Sequence, residues 1–302
     1  MTLFSGLSAF PLTPTDNHGR LMPDVMAQHL ERLSLAGVDS VGLLGSTGSY
    51  AYLSPEERKR MLRVAADALG GRVPLIVGVG ALRTDEAEAL ARDAAEAGAD
   101  GFLLPPVSYQ KLTKEEVYQH FKAVAAAGGL PLCIYNNPGT TNFVFSPDLI
   151  VRLSQVPHIT GVKMPLPTNG DFAGELVNLR SRTPEGFAIG YSGDWGAKDS
   201  LLAGGDAWFS VVASLLPVPA LRLARAATSE DEQKATRLDQ AFSPLWALFK
   251  EFGSFRVMYA LANLLDGNRI EPMRPVQPLA ADVRQKVQAA LDALHESIAS
   301  IE

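Results

Sequence analysis

The segment Ile159-Thr160-Gly161-Val162-Lys163-Met164-Pro165 decides how the chain is read. Its apolar positions do not alternate with polar ones, as they would on a half-exposed strand. A run of this kind marks a strand buried on both faces, the situation of parallel strands covered by helices. Seven more such runs lie along the chain, at Gly6–Phe10, Ser40–Leu44, Pro74–Val79, Gly101–Leu104, Leu132–Asn136, Phe187–Tyr191 and Ala207–Val212. Longer segments of helical period separate them, and several carry start signals. Ser54-Pro55-Glu56-Glu57 offers a capping serine, a proline at the first helical position and a glutamate at the third. Thr113-Lys114-Glu115-Glu116 repeats the capping box, Ser146-Pro147-Asp148 starts a helix the same way, and Ala94 to Gly101 reads as a helix end with a glycine stop.

Eight strand–helix units in 302 residues predict an α/β fold, a closed (β/α)8 TIM barrel. An open doubly wound sheet has the same rhythm, because periodicity does not report closure. A proline-punctuated helix start at Pro217-Val218-Pro219 follows the eighth run. From Thr228 the pattern changes. A polar stretch, Thr228–Gln233, leads into helical segments at Lys234–Phe252, Phe255–Leu265 and Ala280–Ile301, with no strand candidate among them. The expected division is a barrel over 1–227 and a C-terminal helical extension over 228–302.

Composition narrows the function classes. With 27 basic and 33 acidic side chains the formal charge is −6, and no basic run offers itself to nucleic acid or anionic lipid. The one cysteine, Cys133, has no internal partner, which fits a reducing compartment. The first ten residues have no basic leader, and no apolar stretch reaches the roughly 18–20 residues that span a bilayer. A soluble, cytoplasmic protein is expected, without nucleic-acid or membrane partners.

In a barrel of this class the chemistry sits where strands end at the C-terminal face. A lysine inside a doubly buried strand, as at Lys163, is costly to keep charged. Burial disfavours the ammonium and lowers its pKa, leaving a neutral amine able to attack a carbonyl. The structural alternative is a lysine snorkelling from an edge strand, which the apolar neighbours Ile159, Val162 and Met164 oppose. The second strand runs into Gly45-Ser46-Thr47-Gly48-Ser49, either an anion-binding turn or an ordinary glycine-rich one. The fifth ends in Tyr135-Asn136-Asn137-Pro138-Gly139-Thr140-Thr141, where the phenol can relay protons or simply pack in the core. The seventh ends in Ser192-Gly193-Asp194-Trp195, and Asp194 can bind substrate hydroxyls or cap the next helix. The fourth ends in Pro105-Pro106-Val107-Ser108-Tyr109, a rigid loop presenting a tyrosine. None of the five histidines stands at the C-terminal end of a strand, and no metal-ligand spacing or dinucleotide fingerprint occurs, so neither a metal nor a cofactor is expected.

In these motifs the sequence resembles the dihydrodipicolinate synthase/N-acetylneuraminate lyase family of class I aldolases. The likeness is ordered along nearly the whole chain: the Gly-Ser-Thr-Gly loop at Gly45–Gly48, the Tyr-Asn-x-Pro turn at Tyr135–Pro138, the Gly-x-Lys strand at Gly161–Lys163, Ser192–Asp194, and the stretch near Gly205–Ser210. The resemblance implies a lyase or aldolase that forms a Schiff base with pyruvate or a related 2-keto acid. Lys163 would be the imine-forming lysine and Tyr135 the proton-shuttling phenol. Gly45, Ser46 and Thr47 would hold the keto acid's carboxylate, with Thr140, Gly193 and Asp194 completing the substrate site. It further implies a homo-oligomer, a tetramer or dimer. A loop tyrosine from a neighbouring subunit, for which Tyr109 is the candidate, would complete a relay with Tyr135 and Thr47.

Three departures bear on the second substrate, an aldehyde or a keto-deoxy acid. The family's synthases carry an arginine just after the Tyr-Asn-x-Pro turn, where this chain has Thr140, and a threonine cannot form the bidentate pair an arginine forms with a carboxylate. Ser49 stands where a glutamate is common, and Asp194 is followed by Trp195 rather than a second acid. A lysine-biosynthetic role is therefore not assigned, and a second substrate less anionic and more apolar than the family norm is expected. Two other readings stay open: a paralogue that binds a keto acid without turning it over, and a barrel enzyme of phosphate or metal chemistry, supported only by the glycine-rich loop.

Overall fold

In the computed structural model, which describes residues 2–301, the eight apolar runs form eight parallel strands. They are β1 (Gly6–Ala9), β2 (Ser40–Leu43), β3 (Leu75–Gly78), β4 (Gly101–Leu104), β5 (Leu132–Tyr135), β6 (Ile159–Met164), β7 (Ala188–Tyr191) and β8 (Ala207–Ser210). They pair in sequence order, and β8 pairs back onto β1, so the sheet is a closed barrel rather than an open one. Closure removes both sheet edges and puts every strand between helices outside and side chains inside. That is why the runs are apolar throughout.

The interior is filled rather than hollow. Phe10, Ile76, Leu103, Cys133, Tyr135 and Phe209 belong to one buried cluster within the barrel. The outer faces of the strands join the larger core formed with the surrounding helices. The register sets Tyr135 of β5 directly beside Lys163 of β6, and Gly190 of β7 on its other side. Lys163 thus lies on a central strand, flanked by a phenol and by a residue with no side chain.

The helix starts follow their signals. Ser54 and Thr113 each accept from the backbone N–H three residues on, and Glu57 and Glu116 return the bond, closing both capping boxes. Ser146 accepts from the Leu149 N–H. The helix Pro217–Thr228 starts on its proline. Beyond it come the helices Glu232–Phe252, Ser254–Asp266 and Ala281–Ala299. The first of these packs on Pro217–Thr228 and on the other two. Helix Ser254–Asp266 is also tied to the first helix, Pro23–Ala36: Asp266 accepts from both terminal guanidinium nitrogens of Arg32 and lies 2.7 Å from His29 Nε2. Among the described residues no helix is long and apolar enough to cross a membrane.

Candidate active site

The Lys163 amine sits in an aromatic cage. Its Nζ lies 3.7 Å from the centroid of the Phe10 ring, 4.8 Å from that of Tyr135 and 5.5 Å from that of Phe209. The residue is 5 % exposed, and among the described residues it makes no ion pair. Two effects compete. The ring faces attract an ammonium, typically by about 0.5–2 kcal/mol. Removal from water disfavours it more strongly. Burial wins: it pulls the pKa below the ordinary lysine value, and Tyr135, Cys133 and Asp194 oppose the shift only in part. Glycine in β2 makes room for the cage, because a Cβ at Gly42 would run into the Phe10 ring.

The Tyr135 hydroxyl donates to Ser46 Oγ at 3.2 Å and accepts from Asn137 Nδ2 at 2.8 Å. One phenol therefore connects the mouth of β5 to the loop after β2. Ser46 and Thr47 are half-buried and line the same cavity as Lys163. Gly45 is buried beneath them, with Phe10 where its side chain would be. The loop is held under strain. Leu44 and Ser49, at its two ends, both have φ of 57°, a left-handed conformation that costs a non-glycine residue about 1–3 kcal/mol. Its geometry is fixed from outside: Thr13 Oγ1 donates to the Gly48 carbonyl at 2.7 Å, and the Thr13 carbonyl accepts from Tyr259 Oη.

Asp194 takes a role that neither sequence reading described. It is 2 % exposed, and both of its oxygens are engaged. Oδ1 accepts from Trp208 Nε1 at 3.0 Å and from the Val211 N–H at 3.2 Å, while Oδ2 accepts from the Val212 N–H at 2.7 Å. The carboxylate thus pins the end of β7 to the turn after β8, and the helix that follows it, Ala197–Leu202, has no side-chain cap. Burial raises its pKa, with the three hydrogen bonds working against that rise. Gly193, with φ of 94°, is in the left-handed region and lies against Leu166. Thr140 is exposed at the rim, and Trp195, 37 % exposed, forms part of the wall.

Of the sequence-based site residues, Ser46, Thr47, Tyr135, Thr140, Lys163, Gly193 and Asp194 line one cavity of about 930 Å3. Tyr109 does not. It is 91 % exposed on the loop after β4 and contributes nothing to the cavity of its own chain. The cavity also has walls that the strand-end reading missed. Phe10 directly follows β1 and Phe209 lies in β8, so the strand-end rule applied to aromatic residues would have found them. Phe249, Phe255 and Arg256 come from the C-terminal helices, and no strand-end signal points to them.

The match to known proteins covers nearly the whole chain. The model of the dihydrodipicolinate synthetase family matches residues 3–294. A 4-hydroxy-tetrahydrodipicolinate synthase of Neisseria meningitidis serogroup C / serotype 2a is 35 % identical over 289 residues, covering 93 % of this chain and 96 % of that protein. A solved dihydrodipicolinate synthase of Agrobacterium tumefaciens str. C58 is 59 % identical with a TM-score of 0.95, over 97 % of this chain and 98 % of that one. A dihydrodipicolinate synthase of Acinetobacter baumannii, solved in complex with pyruvate, is 30 % identical with a TM-score of 0.87, over 97 % and 99 %.

Proposed function

The chain belongs to the dihydrodipicolinate synthetase family, and we propose that it is a class I lyase in which Lys163 forms a Schiff base with pyruvate or a related 2-keto acid. The observation that carries this reading is the lone, desolvated amine of Lys163 beside the Tyr135 phenol, itself hydrogen-bonded to the loop after β2. The pyruvate complex of the similar Acinetobacter baumannii enzyme supports the same keto acid here.

The steps follow from the positions of these groups. Ser46 and Thr47, through hydroxyl and backbone N–H groups, hold the keto acid's carboxylate so that its carbonyl carbon faces Nζ. The neutral amine adds to that carbon. Tyr135 carries one proton from the adding nitrogen to the carbonyl oxygen and then gives its own to the resulting hydroxyl, which leaves as water as the carbon–nitrogen double bond forms. The protonated imine then draws electrons from the neighbouring carbon. In one direction that carbon, having lost a proton, attacks an aldehyde. In the other, a carbon–carbon bond breaks or a hydroxyl leaves from a keto-deoxy acid. Water finally adds back to the imine and releases the keto acid from Lys163. Tyr109, exposed in its own chain, is assigned to the relay of a neighbouring copy in a homo-oligomer.

A panel of aldehydes offered with pyruvate, and of keto-deoxy acids offered alone, tests the reading through pyruvate consumption or release. Turnover by the parent and its loss in Lys163→Ala are expected. Equal turnover by the two proteins contradicts it.

A further inference from the structure

The cavity around Lys163 is much larger than a keto acid the size of pyruvate needs, so a second reactant has space beside it. The charges on its walls restrict what that reactant can be. Among the described residues Asp194 is the one acid that lines it, and both of its oxygens already accept hydrogen bonds from the protein. Two cationic residue types line it, Lys163 and Arg256. Lys163 is turned toward its neutral form by burial, which leaves the guanidinium of Arg256 as the standing positive charge.

Arg256 is exposed at the cavity mouth, and among the described residues its guanidinium has no hydrogen-bond partner. Among the described residues Arg256 takes part in no ion pair. It occupies the first turn of helix Ser254–Asp266, and that turn contains no acidic residue. The helix dipole opposes a cation at that end, so helix stability does not explain an arginine there. Leu166, Trp195, Phe249 and Phe255 add apolar walls to the same cavity.

We infer that Arg256 binds a carboxylate at the far end of the second reactant, so that the carbon skeleton handled at Lys163 is acidic at both ends. The inference rests on the proposed Schiff-base reading for the position of the first carboxylate. The planar fork of a guanidinium suits a carboxylate in bidentate contact. The missing arginine after the Tyr-Asn-x-Pro turn is thus replaced from another element, and the cavity suits an anionic partner despite Thr140. Phe249 and Phe255 match the apolar middle of such a molecule.

Two experiments separate this inference from the reading beneath it. The first compares borohydride trapping by 2-oxo dicarboxylic acids of increasing length (2-oxoglutarate, 2-oxoadipate, 2-oxopimelate) with 2-oxo monoacids of matching length. The parent is expected to half-saturate with the best diacid at a concentration about tenfold or more below its monoacid counterpart. Arg256→Gln should lose that preference, and Arg256→Lys should keep part of it. A parent without preference, or an Arg256→Gln protein that retains it, overturns the inference. The second does not need an imine. Glutarate and adipate are titrated by calorimetry into Lys163→Ala and into Lys163→Ala/Arg256→Gln, with thermal melts to show that both fold. Diacid binding to the first protein and about tenfold weaker binding to the second support the inference even if no keto acid is trapped. Equal binding to both, or inorganic phosphate binding in preference to either diacid, overturns it.

Discussion

Lys163 Nζ lies 3.7 Å above the centre of the Phe10 ring, and the burial to which this ring contributes pulls the amine's pKa below its ordinary value. The ring excludes water from one side of the nitrogen. It can do so only because Gly42, beneath it, has no side chain.

Phe10→Leu should therefore let water reach the amine and return its pKa toward the ordinary lysine value. The neutral fraction at pH 7 falls about tenfold for each pKa unit regained. Trapping of pyruvate at pH 7 should slow, and the pH–rate profile should move to the alkaline side. The cost in stability should be roughly 1–2 kcal/mol. A profile that stays in place, measured by trapping rates from about pH 6 to about pH 10, would mean that Phe10 does not control the amine.

Tyr135→Phe removes the hydroxyl that links Ser46 to Asn137 and keeps the ring beside Lys163. General acid–base assistance is typically worth about 10²–10⁴ in rate. Imine formation should slow by a factor in that range, while the melting temperature changes little. Single-turnover trapping measures the first effect and a thermal melt the second.

Lys163→Met should stabilise the protein while abolishing the chemistry. Below its folded-state pKa, the lysine carries a charge into the cage at a cost. Above its unfolded value, about 10.4, it is neutral in both states. Between the two pKa values the unfolded chain binds more protons, so wild-type stability rises with pH relative to the variant. The advantage of Lys163→Met should be about 1–4 kcal/mol near neutral pH and should shrink as pH rises through that window. Denaturant melts at several pH values read it directly. An advantage that grows with pH contradicts the assignment of burial as the dominant effect.

Tyr109 is 91 % exposed, so Tyr109→Phe should leave the stability of the chain within about 0.5 kcal/mol of the parent, as for most exposed substitutions. If it serves the site of a neighbouring copy, Tyr109→Phe and Lys163→Ala should each be impaired alone. Oligomers reassembled from the two should regain activity, because some sites then hold an intact lysine and an intact tyrosine from different chains. No recovery in a verified mixed oligomer would count against a shared relay.

Much of the fold was legible because closure leaves a pattern: every strand is buried on both faces, so each appears as an unbroken apolar run. Lys163 stood out as the exception to that pattern, and Tyr135 and Ser46–Thr47 stood out by their places at strand ends. The contacts that span the chain left no such mark. Asp194 has its donors on Trp208, Val211 and Val212, and only the pairing of β7 with β8 brings them together. Arg256 and Phe255 lie on a helix whose place over the mouth depends on its tie to Arg32 and His29 through Asp266. Reading the strand ends alone pointed to a less anionic second substrate, and the binding role inferred for Arg256, which no strand end signals, points the other way. Barrel closure itself, the pairing of β8 with β1, has no local signature in either strand.

The central claim is that the Lys163 amine is the nucleophile. Incubation with pyruvate, reduction with borohydride and peptide mapping by mass spectrometry test it most directly. A single reduced adduct on the peptide containing Lys163, absent from Lys163→Ala, is the predicted result. An unmodified Lys163, or an adduct of equal yield in Lys163→Ala, would contradict it.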